Sequence, residues 1–170
     1  MLTGDDHLLL HDLRISEMFT RLQLGADKRG NELVWFNEMA TILRQGDEEI
    51  VRSDGMGVLM GEGGGTAYFV EMDRGNTDWR KKVQSYERAR SQTAWRQVLR
   101  VDNWQPSAYP GVLCVVPDWM EKRVREEIWG QKPQTHFYVK GWKSFWETEI
   151  FEDWHTASGG KEEVSVAEKG

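Results

Sequence analysis

The chain is short of cysteine and of long apolar runs, and each shortage narrows what it is. A single cysteine, Cys114, has no partner for a disulfide, which fits a reducing, cytoplasmic compartment. Within the run GVLCVV it reads as a small buried hydrophobe. No stretch reaches the apolar length that crosses a bilayer, and the N-terminus lacks a secretory pattern; no membrane partner is expected. Basic residues, 22 Lys and Arg, are outnumbered by 28 Asp and Glu. A formal net charge of −6 argues against a protein that coats nucleic acid nonspecifically. The glycine tract at 61–65 has neither the Walker spacing nor its Gly-Lys-Ser/Thr ending, so it reads as a hairpin tip rather than a nucleotide loop.

What is present is more specific. At 170 residues the chain is long enough to bury a core. It is read as one domain over residues 1–146, followed by an acidic, patternless and flexible tail over 147–170. Nine tryptophans are many, and most require a partly buried home. Charge is unevenly spread: between Arg74 and Arg100 eight basic residues face only Asp78 and Glu87, which leaves the rest of the chain at −12. That segment, with Arg74, Arg80, Lys81 and Arg88, is either a solvated helix face or a surface for a phosphate backbone.

Element by element, residues 7–24 carry Leu9, Leu13, Phe19 and Leu22 at spacings that a helix buries on one side. His7 and His11 stand four apart on it. With no Cys/His partner nearby and no H-E-x-x-H pattern, they read as structural or DNA-proximal rather than zinc ligands. Residues 32–44 begin as a strand and turn helical near Glu38, which is either a strand-end surface carboxylate or a fourth acid of a site. Asp54-Gly55 is a strong turn signal. Met56–Met60 and Thr66–Met72 then form a hairpin. Side chains alternate along a strand at about 3.3 Å per residue, so Glu71 and Asp73 share a face roughly 6.6 Å apart. Two adjacent carboxylates repel unless a proton or cation lies between them. With Asp54 arriving from the neighbouring strand, three hard oxygen donors (Asp54, Glu71, Asp73) suit Mg²⁺ or Mn²⁺.

Thr77 or Asn76 is expected to cap the next helix, whose Trp79, Val83 and Tyr86 form an apolar stripe. Lys82, four before Tyr86, looks back toward Glu71 and Asp73. Gly111–Val116 is a strand buried on both faces, Pro117–Trp129 an amphipathic helix ended by Gly130, and His136–Val139 another strand. This order suggests a parallel crossover. The fold class is therefore α/β, with a mixed sheet that joins an antiparallel hairpin to a parallel crossover, flanked by helices.

The order helix, hairpin bearing Asp then Glu-x-Asp, helix, buried strand resembles the PD-(D/E)XK, restriction-endonuclease-like core. More narrowly, His11-Asp12-Leu13, Trp35-x-x-Glu38, Ser53-Asp54-Gly55 and Phe69-Val70-Glu71-Met72-Asp73-Arg74-Gly75 resemble the replication-relaxation family of plasmids and other mobile elements. The resemblance covers roughly residues 7–140. It implies a DNA-processing role, with Asp54 and Glu71 holding a divalent ion and Glu38 and Asp73 assisting. Position 53 is Ser where the pattern usually has Pro. Position 73 is Asp where the superfamily places its catalytic lysine, and Lys82 is the residue able to supply that charge from the next helix. The resemblance also implies an N-terminal winged-helix domain in many members, supplied here by another chain if at all.

Two readings follow. In the first, Asp54, Glu71, Asp73, Lys82 and Glu38 cleave DNA phosphodiesters with Mg²⁺ or Mn²⁺. In the second, the same fold binds duplex or branched DNA through Arg74, Arg80, Lys81 and Arg88, or binds a replication partner, without cutting. A homodimer or a separate DNA-binding protein is the expected companion. A blander third option is an accessory protein with exposed tryptophans as anchors.

Overall fold

The computed structural model describes residues 4–92 and 95–164, without the side chains of residues 4–8, 97 and 98. Helix α1 (Gly4–Lys28) leads into strand β1 (Glu32–Asn37) and a 3₁₀ turn at Glu38–Thr41, whose start is capped by the Asn37 side chain accepting from Ala40 N. A small ribbon, β2 (Leu43–Gln45) and β3 (Glu48–Val51), precedes the hairpin of β4 (Gly55–Gly61) and β5 (Gly64–Met72). Next come α2 (Trp79–Arg90), the short α3 (Trp95–Val98), β6 (Gly111–Val116), a 3₁₀ turn at Asp118–Met120, α4 (Glu121–Trp129) and β7 (Phe137–Gly141). The chain continues through α5 (Trp142–Glu147), β8 (Trp154–His155) and β9 (Lys161–Glu162).

Seven strands form one mixed sheet in the order β1-β4-β5-β6-β7-β8-β9. The pairs β1–β4, β4–β5, β7–β8 and β8–β9 are antiparallel, whereas β5–β6 and β6–β7 are parallel. The two parallel pairs need crossovers, and α2 and α4 supply them. The hairpin is tighter than the expected five-residue glycine loop. Its strands run to Gly61 and from Gly64, with Gly64 at φ +127°, a conformation that a side chain would resist.

Alternation along the strands sends side chains into two separate cores. Tyr68, Val70 and Met72 of β5 join Leu113, Val115, Phe145 and the inner residues of α1. Phe69 joins Val112, Cys114, Val116 and the buried stripe Trp79, Val83, Tyr86 of α2, with Val124 and Ile128 of α4. Each fully buried aliphatic or aromatic side chain adds about 1.5–3 kcal/mol. Glu71 and Cys114 are register partners, so Glu71 is a carboxylate inserted among apolar neighbours of the α2 face.

Two further expectations differ from this architecture. The buried stripe of α1 is Met18, Leu22 and Ala26, while Leu9, Leu13 and Phe19 are exposed. Only the C-terminal half of the helix lies against the sheet. The segment after Glu147 is not a patternless tail as far as it is described. Ile150, Phe151, Trp154 and Val164 are buried, and β8 and β9 extend the sheet. Lys140 of β7 ties this segment down, donating to Thr148 Oγ1 at 2.9 Å and Glu149 O at 3.1 Å. Burial lowers its pKa to about 8. Residues 165–170 lie outside the described part. Among the described residues no helix is long and apolar enough to cross a membrane.

Candidate functional site

Because β4 runs antiparallel to β5, its first residues lie beside the last residues of β5, with Gly55 opposite Val70. Asp54 N donates to Val70 O at 3.0 Å, and the Asp54 carboxylate then reaches forward to accept from Met72 N at 2.7 Å. This places Asp54 against Glu71, seventeen residues further along the chain. Its other oxygen, Oδ1, is 3.2 Å from Nε2 of His11 on α1.

Glu71 is only 5% exposed. Tyr86 Oη donates to its Oε1 at 2.5 Å, and the Lys82 ammonium lies 2.9 Å from its Oε2. Both partners come from consecutive turns of α2, where positions four apart share a face. Lys82 also donates to the carbonyl of Arg52 at 3.1 Å, which closes the arrangement over the chain that leads into Asp54. Burial pushes the Glu71 carboxyl up to about 7, with the nearby Asp54 charge adding to it and Lys82 and Tyr86 working against it. Burial alone would lower the Lys82 pKa, but the Glu71 carboxylate outweighs it and holds the ammonium above its ordinary value. Burial, then Glu71, raises the Tyr86 phenol well above its usual range. The Cys114 thiol is raised by burial and is no nucleophile.

Asp54, Glu71 and Lys82 line one polar cavity of about 110 Å³ with His11, Asp73, Arg74, Asn76, Thr77 and Trp79. Asp73 is present but its oxygens are committed elsewhere. Oδ1 accepts from Gly75 N (2.8 Å), Thr77 N (3.3 Å) and Thr77 Oγ1 (2.8 Å), and Oδ2 accepts from the buried Trp79 Nε1 at 2.8 Å. Strand β5 ends at Met72, so the alternation that relates Glu71 to position 73 no longer governs where the Asp73 side chain goes. The Asp-x-Gly-x-Thr order carried the missed signal: aspartates favour turns in which the side chain bonds the backbone two residues on. Because Thr77 is occupied in this way, the cap of α2 is Asp78, which accepts from Lys81 N.

The remaining candidates are dispersed. Glu38 lies outside the cavity, exposed and paired with Arg52 at 3.0 Å. Arg88 is held by Glu48 and Gln45 of the β2–β3 ribbon, and Lys81 pairs with Asp78 at 3.7 Å. Arg80 opens onto a separate groove with Arg123, Glu126 and Glu127. Arg74 alone of the four lines the cavity, exposed and without an acidic partner among the described residues. The His7 side chain lies outside the described part.

Among the described residues, no three His, Cys, Asp or Glu side chains stand together as a ready metal-ligand group. The donor set is instead two carboxylates, Asp54 and Glu71, on one cavity wall. That set suits Mg²⁺, which usually keeps several waters and takes one or two protein carboxylates. The charge balance suits it too, since three carboxylates in the lining face only Lys82 and Arg74. A desolvated acid that titrates near neutrality favours any cation able to restore its charge.

No family model, no curated protein and no solved structure matches this chain.

Proposed function

We propose that this protein is a divalent-metal-dependent nuclease acting on DNA phosphodiesters, on a restriction-endonuclease-like core in which the lysine has moved from the strand to α2. The observation that carries this reading is the Lys82 ammonium 2.9 Å from buried Glu71, with Asp54 on the same cavity. Asp54 and Glu71 would hold Mg²⁺ or Mn²⁺, which when bound supplies Lewis-acid polarisation of the phosphate and a more acidic water. Tyr86 fixes Oε1 of Glu71 and thereby aims the carboxylate. His11 does the same for Asp54. Lys82, fixed between Glu71 and the Arg52 carbonyl, is placed to offset charge that develops on the phosphoryl oxygens. Arg74 is free to take a neighbouring phosphate. The replication-relaxation resemblance and a role on a mobile element belong to the same proposal.

A second reading, a DNA- or partner-binding protein of this fold that does not cut, is favoured by Asp at position 73 in the place of a lysine. It is weakened by Arg88 and Lys81, whose charges are already matched within the protein. Nicking of supercoiled plasmid separates the two. The nuclease reading predicts Mn²⁺-dependent nicking by the wild-type chain and its loss in both Glu71→Gln and Lys82→Ala. Salt-sensitive retardation of DNA with no nicking would replace it with the binding reading.

A further inference from the structure

Trp119 is the most exposed tryptophan among the described residues, at 76%. A lone exposed aromatic is common on a protein surface and means nothing by itself; its position decides. Nor is the indole on a loose loop. It follows the carboxyl end of β6, and its neighbour Met120 is fully buried. Asp118, on its other side, accepts from Lys143 N at 2.9 Å and so ties the turn to the start of α5. The ring edge rests on Gly75, where a Cβ would come within 3.3 Å of Cζ2 and where φ is +96°. Gly75 belongs to the turn organised by Asp73, and its neighbours Arg74 and Asn76 line the Glu71 cavity. The exposed indole therefore stands at the rim of that cavity.

The same rim carries unmatched positive charge. Arg74 is exposed and has no acidic partner among the described residues. Arg14 of α1 likewise has none, and its guanidinium lies 3.7 Å over the ring of Trp142, the first residue after β7. The carboxyl ends of three neighbouring parallel strands thus present an exposed indole and the free guanidinium of Arg74 at a carboxylate–lysine cavity, with the Arg14 guanidinium stacked on Trp142. An indole beside a free arginine fits a phosphate backbone with an open base: the cation takes a phosphate and the ring takes the base. A base in a duplex has both faces covered by its neighbours, whereas an unpaired base offers one.

We propose that Trp119 is a stacking platform for an unpaired base, so that the strand entering the Asp54–Glu71–Lys82 cavity is single-stranded or locally unpaired. This inference rests on the nuclease reading for the chemistry and adds to it the form of the substrate.

The test measures dissociation constants by fluorescence anisotropy, without divalent metal and at one fixed salt concentration. The probes are a labelled single-stranded DNA oligonucleotide and the blunt duplex of the same sequence. For Trp119→Ala, affinity for the single strand should fall about tenfold, the worth of stacking one base, while duplex affinity stays within about twofold. Trp119→Phe should restore most of the single-strand affinity. Equal losses on both probes, no loss on either, or no rescue by Phe would overturn the platform. Plasmid nicking by the wild-type chain, lost in Glu71→Gln, would then still uphold the nuclease reading. A wild-type chain that binds neither probe would overturn the platform, and one that also fails to nick plasmid with Mn²⁺ would overturn the nuclease reading too.

Discussion

Glu71 and Asp73 are two residues apart, equally buried, and opposite in kind. Asp73 accepts four hydrogen bonds from neutral donors, three of them from its own turn and the fourth from the Trp79 indole. Glu71 has one neutral donor, Tyr86, and one cation, Lys82, and it faces a cavity shared with a second carboxylate. A carboxylate saturated by fixed donors holds structure. One left short of them in an apolar setting is available for an arriving ion or proton. Burial by itself therefore does not distinguish a structural acid from a chemical one; the partners do.

The strongest way to break this contrast is Asp73→Ala. It removes the acceptor for the buried Trp79 N–H and dissolves the turn that leads into α2, and about 4 kcal/mol of stability should be lost in urea unfolding. If Asp73→Ala folds with wild-type stability but no longer binds Mn²⁺, the two acids have been assigned the wrong way round.

The second test concerns pH. With its folded pKa near 7 against an ordinary 4.5, Glu71 holds a proton in the folded state that the unfolded chain has already released. Wild-type stability should therefore fall relative to Glu71→Gln as pH rises from 4.5 to 7, by up to about 3 kcal/mol, and level off above that. Parallel melting-temperature curves for the two proteins over this window would contradict the assignment.

Next in size, Lys82→Ala should reduce nicking by about 10²-fold, while Lys82→Arg, a bulkier fork at a point-charge position, should recover only part of it. Cleavage by Lys82→Ala at the wild-type rate would remove the lysine from the chemistry. The smallest effect is expected of Tyr86→Phe. Loss of its O–H costs about 1–2 kcal/mol of stability and lets the Glu71 carboxyl titrate higher still, so the nicking optimum should move to higher pH. An unmoved optimum would mean that Tyr86 only packs.

Much of this contrast was legible in the residues, and the gaps have physical causes. The hairpin of β4 and β5, the α2 stripe, the return of Lys82 toward Glu71 and the buried strand β6 followed from periodicities of two and 3.6. Strand alternation misplaces Asp73 because the strand ends one residue earlier, at Met72. Leu9, Leu13 and Phe19 are exposed despite their spacing, because helical spacing shows that a stripe exists, not which stripe meets a sheet. His11 approaches Asp54 across 43 residues, a tertiary contact that no local pattern encodes. The segment after Glu147 has too few apolar residues to show a period, yet Phe151 and Trp154 fill a pocket built by α1 and α5.

Calorimetric titration of Mn²⁺ into the wild-type chain and into Asp54→Asn is the most direct measurement of what the cavity does. One ion per chain should bind to the wild-type protein, with affinity reduced at least about tenfold in Asp54→Asn. No heat of binding in the wild-type chain, or equal affinity in both proteins, would show that Asp54 and Glu71 do not form a metal centre.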